Sequence, residues 1–89
     1  RLKLDDKRHQ VVVDNEEVKL TVKEFEMLKF LLQNRGIVVT RNQILSQIWG
    51  YSFEGETRTV DVHVNTLRQK LGGAGSCIET VRGVGYRIL

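Results

Sequence analysis

The spacing of apolar positions changes along this chain, and each change predicts a different element. Over residues 1–20 the spacing is short and alternating. Leu2-Lys-Leu4, the β-branched run Val11-Val-Val13 and Val18-Lys-Leu20 predict three short strands. Asp14-Asn15 is a hairpin turn signal between the second and third, and Asp5-Asp6-Lys7-Arg8 is a polar turn between the first and second. A small antiparallel sheet is expected. At Thr21 the spacing lengthens to that of a helix. Thr21-Val-Lys-Glu24 is a capping box, in which the Thr hydroxyl and the Glu carboxylate each take a backbone N–H of the other residue. Val22, Phe25, Met27, Leu28, Phe30, Leu31 and Leu32 then cover more than half the helix circumference, as in a central, buried helix.

Gly36 is a natural left-handed stop for that helix, and Ile37-Val-Val39 is long enough only for a strand. Thr40-Arg-Asn-Gln43 is a second capping box. Its helix gathers Ile44, Leu45, Ile48 and Trp49 into one arc before Gly50. A turn-rich connection over residues 51–56 leads to a third helix, Arg58 to Lys70, which Gly72-Gly73 stops. A glycine-rich loop runs to Ser76. Two strands follow, Ile78 to Val81 and Tyr86 to Leu89, around Arg82-Gly-Val-Gly85, with Cys77 as a strand residue. The order is that of an α+β winged helix-turn-helix: an N-terminal antiparallel sheet (1–20), a three-helix core (21–71) and a C-terminal β-hairpin wing (77–89).

Composition narrows the function more than the fold. Eighty-nine residues without proline, repeats or low-complexity stretches make one domain with one modest core. A single cysteine excludes a disulfide framework and fits a reducing compartment. No apolar run approaches the roughly 18 residues that would span a membrane. The net charge is only +3, but its distribution is uneven. Residues 1–20 and 21–57 each balance. Residues 58–89 carry Arg58, Arg68, Lys70, Arg82 and Arg87 against Asp61 and Glu79. A basic third on a neutral scaffold is the footprint of a face for a polyanion.

The third helix divides by angle, at about 100° per residue. Val60, Val64, Leu67 and Leu71 share one arc suited to burial; Arg58, Val62, Asn65, Thr66 and Gln69 lie opposite. Such an outward face is either solvated surface or a reading surface for DNA. Asn and Gln pair bidentately with adenine, Arg with guanine, and a small apolar group meets a thymine methyl. Arg58 and Thr59 at the helix start suit phosphates. Arg82, with Gly83 and Gly85 beside it, suits a hairpin tip entering a narrow minor groove. Trp49 is open to two roles, a core aromatic or an indole donor to phosphate; His63, beside the buried arc, is open to packing or to phosphate.

Metal and catalytic readings fail. His9, His63 and Cys77 are scattered without paired ligand spacing, no Ser or Cys stands in a nucleophile motif, and Gly83-Val-Gly85 lacks the strand and helix of a phosphate loop. Neither an enzyme nor a cofactor is expected. The acidic-aromatic run Tyr51-Ser-Phe-Glu-Gly-Glu56 makes a protein-interaction module the rival reading. An RNA-binding module lacks the interleaved aromatics that stack on single strands.

Six motifs together are specific. Thr21-Val-Lys-Glu-Phe-Glu-Met-Leu28, Arg41-Asn-Gln-Ile-Leu45, Ile48-Trp-Gly50, Arg58-Thr-Val-Asp-Val-His63, Leu67-Arg-Gln-Lys70 and Thr80-Val-Arg-Gly-Val-Gly-Tyr86 resemble, in order and spacing, the C-terminal effector domain of OmpR/PhoB-type response regulators. The resemblance implies a bacterial, cytoplasmic, sequence-specific transcription regulator of a two-component system. It implies that the third helix enters the major groove of double-stranded DNA and the wing the minor groove. By this resemblance Val62, Asn65 and Thr66 face bases and Arg82 is the minor-groove residue. Arg41, Trp49, Arg58, Thr59, His63, Arg68, Thr80, Gly83 and Tyr86 contact the backbone. Tyr51, Ser52, Phe53, Glu54, Gly55 and Glu56 form the loop that contacts RNA polymerase.

A receiver domain, addressed by a sensor kinase, is expected ahead of Arg1 and would promote dimerisation on tandem half-sites about one helical turn apart. The isolated domain would be monomeric and bind one half-site weakly. Two departures stand out. The family commonly has four N-terminal strands, and three are legible here. Family members often carry a basic side chain at one of the positions held by Asn65 and Thr66, so the base preference should be this protein's own.

Overall fold

A computed structural model describes residues 2–51, 53 and 55–89. The first sheet is formed by β1 (Leu2–Asp5), β2 (Gln10–Val13) and β3 (Glu16–Val18), all antiparallel in that order. Register explains its burial. Leu2 pairs with Val13 and Leu4 with Val11, which in turn pairs with Val18. These side chains share one face and pack on the core, because alternate residues of a strand point the same way. Asp14 and Asn15 adopt φ of 50° and 71°, the paired left-handed geometry of a two-residue hairpin turn.

The first helix, α1 (Val22–Gln33), and the second, α2 (Arg41–Trp49), both begin at complete capping boxes. Thr21 Oγ1 accepts from the N–H of Glu24 at 3.2 Å, and Glu24 Oε1 accepts from the N–H of Thr21 at 2.9 Å. Thr40 and Gln43 repeat the exchange at 3.0 and 2.8 Å. The third helix, α3 (Arg58–Leu71), packs on α1 and α2, and α1 also meets the second sheet, in which β4 (Val39–Thr40), β6 (Gly85–Ile88) and β5 (Ile78–Val81) are ordered antiparallel. The buried core is Val11, Phe25, Met27, Leu28, Leu31 and Ile44 with Val60, Val64, Leu67 and Leu71 of α3, closed by Val39, Ile78, Tyr86 and Ile88. Among the described residues no helix is long and apolar enough to cross a membrane.

Five details differ from the sequence pattern. The third strand, expected over 18–20, runs from Glu16 to Val18, because the two-residue turn at Asp14-Asn15 sends the chain straight back to pair Glu16 with Val13. Val22, counted with the apolar face of α1, is exposed, because it opens the first turn outside the packed stripe; Glu24 is buried instead. The strand expected over 37–39 begins only at Val39. Gly36 turns at φ 81° and donates to Ile88 O, and Ile37 donates back to Asn34 O, so the chain joins the sheet two residues late. The glycine-rich loop is a 3-10 helix, Gly72–Cys77, whose small residues let it lie against α3, with Gly75 buried. Cys77 therefore ends that helix and does not lie in the strand. Gly85 is required by space: a Cβ there would fall 2.0 Å from Val39 O, so only glycine lets β6 approach β4.

Candidate nucleic-acid interface

The outward stripe of α3 is narrower than the sequence suggests. Arg58, Asn65 and Gln69 are exposed and Val62 is 53% exposed, within an arc opposite the buried Val60, Val64, Leu67 and Leu71. Thr66, expected to face bases, is half-buried. Its hydroxyl donates to Glu24 Oε2 at 2.8 Å, with His63 O at 3.0 Å as a second acceptor. The physical reason is the buried carboxylate. Glu24 is 3% exposed and collects Lys70 Nζ at 2.7 Å and the Thr21 N–H as well. Burial pushes its carboxyl up, but the bonds from Lys70, Thr21 and Thr66 prevail and lower it to about 2. Thr66 and Lys70 thus fasten one flank of α3 to α1.

The other flank is fastened by Asp61 and Arg68. Asp61 Oδ1 accepts from Arg41 Nε at 2.8 Å and from the Tyr86 hydroxyl at 2.5 Å. Burial opposes ionisation of Asp61, but these two donors outweigh it and hold its carboxyl below the usual range. The same contacts raise the Arg41 guanidinium through the Asp61 bond, and burial followed by Asp61 raises the Tyr86 phenol. Arg68 donates to Ile78 O from Nε at 3.2 Å and Nη2 at 2.8 Å, and to Thr80 Oγ1 at 2.7 Å. The Arg41 and Arg68 guanidinium carbons lie 5.4 and 5.6 Å from the Tyr86 ring centroid, within cation–π range. Arg41, Arg68, Thr80 and Tyr86 are therefore brought together, as one internal network around the foot of the wing.

At the end of α2, Trp49 meets the His63 ring edge-on, with centroids 4.9 Å apart and planes at 75°. Lys23 Nζ lies 5.5 Å from the Trp49 ring centroid and donates to Ile48 O at 2.9 Å. His63 Nδ1 is 2.8 Å from Thr59 O; a carbonyl only accepts, so Nδ1 carries the proton and Nε2 is the nitrogen left for a ligand. Thr59 is half-buried beside this group. In the wing, Arg82, Gly83 and Val84 form an exposed turn between β5 and β6. In the loop before α3, Tyr51 is almost fully exposed, Phe53 is half-buried with its ring 6.1 Å from Trp49, and Gly55 and Glu56 are exposed. Ser52 and Glu54 lie outside the described residues.

Sequence reasoning missed Asp61 and the full role of Glu24. Asp61 and Arg68, seven residues apart, share a helix flank, which a helical wheel displays. Their partners come from β6, β5 and α2, and no local spacing announces those.

A helix-turn-helix made by α2 and α3 with the β5–β6 hairpin beside it is a winged helix-turn-helix. The family described as "Transcriptional regulatory protein, C terminal" matches residues 15–88. The transcriptional regulatory protein SrrA of Staphylococcus aureus is 46% identical over 90 residues, covering 97% of this chain; the chain spans 37% of that relative's length. Among solved structures, the DNA-binding domain of Bacillus subtilis CssR is similar at a TM-score of 0.90 and 30% identity, with 100% of both chains covered. The Klebsiella pneumoniae RstA DNA-binding domain, in complex with the RstA box, is similar at 0.87 and 34%, with 98% and 89% covered. The chain belongs to the family of transcriptional regulatory protein C-terminal domains, and is the effector domain of a response regulator. That family consists of transcription regulators and not of enzymes.

Proposed function

We propose that the domain binds double-stranded DNA sequence-specifically and so directs transcription, with α3 in the major groove and the wing in the adjacent minor groove. The observation that carries this reading is the exposed stripe Arg58, Val62, Asn65 and Gln69, set beside an exposed Arg82 at the wing tip while the flanking charges are internally paired. Val62 and Asn65 read bases, Gln69 extends the same stripe, and Arg82 enters the minor groove. Arg58, Thr59, Trp49, Gly83 and His63 serve the backbone, His63 as an imidazolium donating from Nε2, since a phosphate oxygen only accepts. Arg41, bonded to Asp61 through Nε and set over the Tyr86 ring, lies where its guanidinium can also face a phosphate. Arg68, Thr80 and Tyr86 act mainly by holding the wing, and Thr66 by holding α3. The RstA neighbour, solved in complex with the RstA box, supports the DNA-binding reading.

Within the intact protein, a receiver addressed by a sensor kinase would pair two copies on tandem half-sites, in a bacterial cytoplasm. The loop carrying the exposed Tyr51 would meet RNA polymerase. Fluorescence anisotropy with a duplex selected from a randomised pool, at several salt concentrations, tests the DNA reading. Affinity should fall with salt at a slope of about −2 or steeper, as two or more neutralised phosphates require. A slope near zero would sink it.

A further inference from the structure

We infer that Asp61 is a positioning residue that couples the wing to α3, so that Arg82 engages the minor groove only while the Asp61–Tyr86 hydrogen bond holds. The inference rests on the DNA-binding reading and deepens it. One carboxylate oxygen, Asp61 Oδ1, takes donors from two other elements that border the proposed interface: Arg41 at the start of α2 and Tyr86 in β6. Tyr86 is itself fixed, buried in the central strand between Val39 of β4 and Thr80 of β5. The second tie between α3 and the wing is Arg68, on the same helix flank, which holds β5 at Ile78 and Thr80.

The hydrogen bonds from α3 to the hairpin thus fall on different strands, those of Arg68 on β5 and that of Asp61 on β6, while Arg68 also lies over the Tyr86 ring. With one anchor released, the hairpin can pivot about the other. Arg82 lies at the far end of that pivot, two residues beyond Thr80 and four before Tyr86. A small rotation at the foot then moves the tip, and the contact must be reordered on binding at an entropic cost. Asp61 needs no contact with DNA to do this.

A double-mutant cycle separates positioning from general weakening. Binding is measured on the selected duplex for the wild type, Arg82→Ala, Asp61→Ala and the double variant. In the wild-type background Arg82→Ala should weaken binding by about tenfold or more, the scale of one good direct contact. In the Asp61→Ala background the same substitution should cost less than about threefold, because the tip is already displaced. Removing a negative charge beside DNA shifts both members of that pair alike and cancels. Equal costs in the two backgrounds would overturn the inference. If Asp61→Ala loses its native circular dichroism, Tyr86→Phe replaces it, since it removes the wing's side of the bond and keeps the Arg41–Asp61 ion pair; the same two outcomes then decide. A randomised pool that yields no bound duplex would instead count against DNA binding itself, and the coupling would fall with it.

Discussion

Glu24→Gln should cost the domain about 2–3 kcal/mol at neutral pH and remove part of its acid sensitivity. Glu24 is held to about 2 from an ordinary 4.5, about 2.5 units, and one unit is worth about 1.4 kcal/mol. The upper figure is therefore about 3.5 kcal/mol. Lys70 retains 39% side-chain exposure while Glu24 has 4%. The ammonium can recover water when its partner is neutralised, which argues for the lower part of the range. Glutamine keeps the shape and one acceptor, so it removes charge without opening a cavity. The sign follows from linkage. A carboxylate with a depressed native value stabilises the fold at pH above about 4.5 and loses that contribution as pH falls toward about 2.

Urea unfolding from pH 7 to pH 2 reads both effects. At pH 7 the midpoint should fall by about 1–3 M, given a typical urea slope of 1–3 kcal/mol per M. The wild-type curve should drop between about pH 4.5 and 2 by the same 2–3 kcal/mol more than the variant, and the two should converge at the acid end. Parallel curves, or equal midpoints at pH 7, would refute the assignment of Glu24 as a charged, internally bonded anchor of α3.

Three further outcomes are expected. Arg82→Ala should weaken binding to the selected duplex by about 1–3 kcal/mol with an unchanged melting temperature, and an unchanged affinity would remove Arg82 from the interface. Asn65→Ala should alter the preferred sequence more than the total affinity; a randomised-site selection that returns the wild-type consensus would count against base reading there. Gly85→Ala should destabilise the fold by about 1–3 kcal/mol in urea, the usual cost of forcing extra atoms into packed structure, because the new Cβ meets Val39 O; wild-type stability would show that β4 and β6 separate freely.

What was legible in the sequence was local. Both capping boxes, the Asp14-Asn15 turn and the buried arc of α3 are written in residues a few positions apart, and each forms as its spacing predicts. The element order and the Arg82 turn follow from the same short-range signals. Tertiary bonds were not legible. Thr66 lies at an angle that suits the outward face, yet the buried oxygen of Glu24, 42 positions away, claims its hydroxyl. Arg41 and Tyr86 resemble backbone contacts by motif, yet an aspartate of α3 brings them together. The late start of β4 has the same origin, since Gly36 is bonded to Ile88 across the chain.

These bonds change the meaning of the charge surplus. Of the basic residues that give the C-terminal third its sign, Lys70 is paired with Glu24, Arg87 with Glu79, and Arg68 is spent on Ile78 O and Thr80. Arg58 and Arg82 carry none of these bonds and are exposed. The basic side chains of this third that are exposed and carry none of these bonds therefore stand at two points, the start of α3 and the tip of the wing. Two point charges attract a phosphate backbone weakly wherever they meet it, and strongly only where both meet it together. Their separation is set by how the wing stands against α3, which Asp61 and Arg68 fix. The internally paired charges thus favour discrimination between sites over general affinity for DNA: pairing Lys70 with Glu24 and Arg87 with Glu79 lowers the non-specific attraction, which grows with each phosphate neutralised, while the rigid spacing preserves the contacts a correct site offers.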